Sequence, residues 1–183
     1  KLFDRIAQQG VEVVLAVSRR TRYPFSPPGE TPETPWPTPG VRLVRLEAML
    51  AHATDTHIIL KGVPRLIREV RPDLIHCAME PWSVTCVEAL AVTRIMSRRP
   101  VFGVQAAESL LDQGSIIAAS VRKALFRIVV SRCDFFVGWN SRVLERASRL
   151  GLDGQPACVA PAVGTDLDLF RPPAQGEKAH LKE

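Results

Sequence analysis

A chain of 183 residues suits one domain with room for a short tail. With 46% of its residues hydrophobic it can fill a core, which excludes a wholly disordered chain. Its formal charge of +5 suits phosphate-bearing ligands, an anionic membrane surface or nucleic acid without choosing among them, and an ordinary solvated surface accounts for it equally well.

Leu2, Phe3, Ile6 and Ala7 share one helical face, and Gly10 stands where a helix stop belongs. Val11 to Val17 is a nearly continuous apolar run, the pattern of a buried parallel strand. From Pro24 to Pro39 there are seven prolines, which remove amide donors and fix φ, so an extended loop is expected. A polyproline ligand is the lesser alternative there.

Val41 to Leu46 reads as a strand. Ile59, Val63, Leu66, Ile67 and Val70 then follow helical spacing, and Pro64 inside that stripe predicts a kink or a break. Leu74 to Ala78 is a strand, Val84 to Met96 a helix apolar around most of its circumference, and Pro100 to Val104 a strand. Ile117, Val121, Leu125, Ile128 and Val129 mark the expected buried stripe of the next helix, with Arg122, Lys123 and Arg127 off it. Phe135 to Gly138 is a strand, Asn140 or Ser141 can cap a helix that stops at Gly151, and Ala157 to Ala160 closes the series.

Strands alternating with helices give βαβ units and a Rossmann-like, doubly wound parallel sheet. Such a sheet opens on a strand, whereas this chain opens on a helix. The expectation is that a central first strand, flanked by strands 11–17 and 74–78, is missing and that the sequence is truncated at its start. Cys77, Cys86, Cys133 and Cys158 are scattered, so neither a zinc site nor a disulfide framework is expected. No signal peptide and no membrane-spanning stretch is read, and the expected setting is the cytoplasm, with reduced thiols.

Val159 to Asp166, followed by Phe170-Arg171-Pro172, resembles the hinge between the two domains of family 4 glycosyltransferases. Arg71 to His76, Glu80-Pro81-Trp82, Pro100 to Gln105 and Cys133 to Ser141 resemble further segments of that family, in its order and at its spacing. Gln105 lies where many members carry a histidine, Ala106 replaces an asparagine and Thr165 a valine.

The resemblance implies one half of a GT-B architecture. Residues 1–163 would be the N-terminal, acceptor-side domain, and 164–183 the hinge, with Gly164, Asp166 and Pro172, and the start of a C-terminal domain. It implies a retaining transfer of a sugar from a nucleotide-sugar co-substrate to a glycan or lipid-linked acceptor, without metal or other cofactor and without nucleic acid. The donor would be held by the second domain, so the 183 residues alone are expected to be inactive. No catalytic residue is assigned.

Three residues beyond strand ends are candidate acceptor ligands. Glu80 can accept from sugar hydroxyls, Gln105 can orient them and Trp82 can stack on a sugar face. Against these stand a solvated loop carboxylate, an amide satisfying loop backbone and a core aromatic. Asn140 reads as a helix cap before a ligand, and His76 as a packed strand histidine. Arg122, Lys123 and Arg127 can rest on the inner face of a membrane, or simply face water.

Two alternatives are kept. A nucleotide- or NAD-binding Rossmann enzyme of another class predicts a G-x-G-x-x-G turn, which these residues lack. A non-catalytic Rossmann-like binding module is the other.

Overall fold

A computed structural model describes residues 2–18, 40–49, 59–107 and 115–160. The proline-rich stretch, the hinge residues Gly164, Asp166 and Pro172, and the C-terminal tail lie outside the described residues.

Helix α1 (Leu2–Gln8) ends at Gly10, whose φ of 82° is the left-handed turn that stops it. Strands β1 (Val13–Ser18) and β2 (Val41–Leu46) pair in parallel, Val13 opposite Val41. Two short strands, β3 (Ala48–Met49) and β4 (Ile59–Leu60), pair antiparallel. Ile59 therefore belongs to a strand and not to the helix that its spacing suggested. Pro64 opens α2 (Val63–Val70) within its first turn, where a missing N–H costs no hydrogen bond, and it neither kinks nor divides the helix.

The main sheet has four parallel strands in the order β5 (Leu74–Cys77), β6 (Val101–Ala106), β7 (Phe135–Gly138) and β8 (Ala157–Val159). The intervening helices are α3 (Val84–Ile95), α4 (Ile116–Val130) and α5 (Ser141–Arg149). One face of this sheet is the core. Phe102, Val104, Ala106 and Phe136 on it are fully buried, with Cys86 and Ala89 of α3, Phe126 and Val129 of α4 and Ala147 of α5. Phe126 tilts against Phe136 with ring centroids 6.5 Å apart.

The opposite face carries Leu74, His76, Val101, Gly103, Gln105 and Phe135, by strand alternation and register. Leu74 is 53% exposed there. The expected single sheet is instead three, because no described strand joins β1 to β5.

Asp134 explains one of the sequence segments structurally. Its carboxylate accepts from the Phe102 amide at 2.8 Å and pairs with Arg99, while its own amide donates to the Phe102 carbonyl at 2.7 Å. It thereby pins the start of β6 to β7. Gly103 has a different necessity: a Cβ there would stand 1.8 Å from the Phe135 ring.

Candidate functional site at the carboxyl edge of the sheet

Parallel strands deliver their following loops to one edge, where ligands of open α/β sheets bind. At this edge α3, α4 and α5 all begin, each with a side-chain cap. Ser83 Oγ accepts from the Cys86 amide at 3.2 Å, Ser115 Oγ from Ala118 at 3.2 Å and Asn140 Oδ1 from Val143 at 3.0 Å. Asn140 is thus a cap.

Glu80 is not the exposed loop carboxylate that its position after β5 suggests. It is 6% exposed, and its Oε1 accepts from the Ala107 amide at 3.1 Å, clasping the β5–α3 loop to the end of β6. Its own carbonyl accepts from the Ser83 amide, closing a turn across Pro81 and Trp82. The carboxylate is therefore structural in part, whatever else it binds.

Trp82 is 4% exposed and is an anchor of the core more than a platform for a sugar. Arg122 of α4 lies over its ring, 5.6 Å from guanidinium carbon to centroid.

Gln105 lies within β6, not in the loop after it, opposite Val137. Val104 and Ala106 on either side are fully buried on the core face, which turns the partly buried Gln105 to the other face. The structure thus brings Glu80 and Gln105 to the same end of the sheet, within two residues of each other's chain through Ala107, but at different depths.

Arg122 was missed as a site residue because the expected stripe of α4 is rotated from the real one. Ile117, Val121 and Ile128 are exposed, whereas Phe126, Val129 and Val130 are buried and Arg122 turns inward. Its Nε and Nη2 are shielded from water and meet no hydrogen-bond acceptor among the described residues. A guanidinium in that state favours an anionic or hydroxyl-rich ligand. The available signal was Phe126, Val129 and Val130, which with Arg122 define the other face of a mostly apolar helix. Ile116 and Ile117 at the start of α4, Lys123 further along it and Arg127 in its last turn are all exposed.

His76 stands beside Phe135, ring centroids 5.9 Å apart. Although its rim is exposed, partial desolvation holds its pKa below the ordinary imidazole value. Cys86 is buried next to Cys77; a hydrogen bond with that thiol and burial together push its pKa well up. Burial raises Cys133 to about 11. Cys158 is exposed. Among the described residues no group of His, Cys, Asp and Glu is arranged to hold a metal, and no helix is long and apolar enough to cross a membrane. A scan of protein-family models finds none that matches the chain, and a comparison with curated proteins returns no match.

Proposed function

We propose that this chain is the acceptor-side domain of a cytoplasmic, retaining family 4 glycosyltransferase, one wall of a GT-B cleft. The observation that carries the reading is the set of sequence segments resembling that family. Arg71 to His76, Glu80 to Trp82, Pro100 to Gln105 and Cys133 to Ser141 follow one another in its order. They form successive strands and loops of one parallel sheet, with Glu80 and Gln105 at its carboxyl end.

In the transfer, an acceptor hydroxyl oxygen bonds to the anomeric carbon while the bond to the diphosphate breaks; the diphosphate leaves with the electron pair and takes up the hydroxyl proton. This domain's part is to hold the acceptor hydroxyl on the face from which the diphosphate departs, the placement that retention requires, which supplies rate through positioning. Gln105 offers both a donor and an acceptor to sugar hydroxyls. Glu80 fixes the loop that forms the adjoining wall. Arg122 supplies a dry positive charge near the mouth, suited to a phosphate-bearing acceptor or the departing diphosphate. The nucleotide sugar would be held by a second domain beyond Gly164, Asp166 and Pro172.

A lipid-linked acceptor is favoured by one observation. The outer side of α4 presents Ile116 at 86% and Ile117 at 78% exposure in its first turn, with Lys123 further along and Arg127 in its last turn also exposed, and the helix contains no acidic residue. An apolar ridge flanked by basic side chains suits an anionic bilayer surface.

The test is to incubate the full-length gene product with a panel of nucleotide sugars and glycan or lipid-linked acceptors, following product by mass spectrometry. Enzyme-proportional transfer with retained anomeric configuration supports the reading. Absence of transfer across the panel, with saturable binding of a dinucleotide such as NAD, would assign the sheet to another class.

A further inference from the structure

At the opposite end of the sheet from the candidate site, a cavity of about 520 Å³ is lined by Arg68, Arg71, Ile95, Met96, Ser97 and Arg98. The arginines come from separate places in the fold. Arg68 lies in the last turn of α2, Arg71 caps that helix, and Arg98 sits in the turn between α3 and β6. Arg98 pairs with Asp73 at 2.6 Å, the one carboxylate paired to a lining arginine among the described residues. Neither Arg68 nor Arg71 has an ion-pair partner among the described residues.

Arg71 has φ 49° and ψ 55°, the left-handed conformation that glycine takes at helix ends. It is the one non-glycine residue with positive φ among the described residues. A left-handed arginine carries a backbone cost, and this one lines a cavity with two further arginines, which the turn alone does not explain. Compensation of the α2 dipole would explain a basic last turn. It explains neither Arg98, which belongs to another element, nor the left-handed arginine.

We propose that this cavity is a binding site for a phosphorylated ligand, with the phosphate held by Arg68, Arg71 and Arg98 and an apolar portion lying on Ile95 and Met96. The guanidinium fork matches phosphate oxygens, and Ile95, 73% exposed, gains cover on binding. The volume falls in the range of small-molecule sites and exceeds the need of a bare phosphate, which is why the ligand carries more than its anion. The same chemistry is offered by a soluble phosphomonoester and by the phosphate of an anionic lipid. This site does not depend on the glycosyltransferase reading.

The test titrates the purified 183-residue chain with inorganic phosphate and with hexyl phosphate by calorimetry, at low ionic strength. The expected result is saturable binding, tighter for hexyl phosphate. Arg68→Ala and Arg71→Gly should each weaken it by about tenfold, as the loss of a charge-assisted hydrogen bond does. Arg71→Gly should hold or raise the melting temperature, because glycine relaxes the left-handed turn, so weakened binding cannot be ascribed to unfolding. Arg127→Ala, in the last turn of α4 and outside the lining of the cavity, should leave binding unchanged. Competition by phosphatidylcholine vesicles containing phosphatidic acid, and not by phosphatidylcholine alone, identifies the lipid source; failure to compete identifies the soluble one. Non-saturable binding, equal affinity in Arg71→Gly and the parent, or an equal loss in Arg127→Ala would overturn the proposal.

Discussion

Glu80 shows how a single residue can look like a ligand and also be a structural clasp. Its carboxylate satisfies the Ala107 amide from a site sealed from water. Glu80→Ala leaves that amide without its acceptor and is expected to lower stability by about 1–3 kcal/mol in urea denaturation. Glu80→Gln keeps an acceptor oxygen and should recover most of this. A loss of activity in Glu80→Ala therefore says little by itself, and the glutamine variant is the informative one.

Arg122 separates structure from function more sharply. With two guanidinium nitrogens buried and meeting no acceptor among the described residues, Arg122→Met should hold or raise the melting temperature while lowering catalytic efficiency. Reduced stability with unchanged turnover would return Arg122 to the core.

His76 adds a pH signature. Its folded pKa is depressed by desolvation, so the unfolded chain takes up the proton first as pH falls. The stability it contributes is present in full above the unfolded value of about 6.5 and is lost as pH falls through the lower folded value. Denaturant midpoints measured from pH 7 to 5 should therefore fall less steeply in His76→Phe than in the parent chain.

At the scale of elements, hydrophobic spacing located the strands well and the phase of one helix badly. β2, β5 and β7 match their apolar runs to within a residue, because runs bounded by Gly, Pro or Asp leave little choice of register. α4 failed for the opposite reason. Eleven of the fifteen positions of Ile116–Val130 are apolar, so two stripes compete, and tertiary packing of Phe126 on Phe136 selects one. From the sequence alone Pro64 suggests a kink or a break, because its place in the first turn is set by β4, whose pairing with β3 no local pattern announces.

The candidate site was legible only as far as chain position allows. The edge of the sheet follows from βαβ order, and so do the loops that reach it. Whether Glu80 faces water and whether Arg122 faces in are decided by contacts with Ala107 and Trp82, which are distant in sequence.

The rotated stripe has a consequence of its own. Ile117→Asp with Val121→Asp places charges on an exposed face, so stability should change by no more than about 0.5 kcal/mol. If that face meets a bilayer, flotation with phosphatidylglycerol vesicles should lose the double variant and retain the parent. Equal flotation of both would leave the apolar ridge as plain surface.

Across the whole molecule, one sheet has two chemically different ends. The carboxyl end gathers Glu80, Gln105 and the inward-turned Arg122, and the amino end gathers Arg68, Arg71 and Arg98. The helices that cover the core face connect these ends, and the other face keeps Leu74, His76 and Val101 largely exposed. Sugar transfer, on our reading, belongs to the carboxyl end alone. The most direct test is the specificity constant of Gln105→Ala in the full-length gene product, beside its melting temperature. Gln105 is partly buried on the face away from the core, and among the described residues no hydrogen bond occupies its side-chain amide, unlike the carboxylate of Glu80. In that variant kcat/KM for sugar transfer should fall by about tenfold or more, with the melting temperature unchanged, as the loss of a hydrogen bond to an acceptor hydroxyl requires. Transfer at the parent rate in that variant, or no transfer by the parent protein with any donor, would contradict our reading.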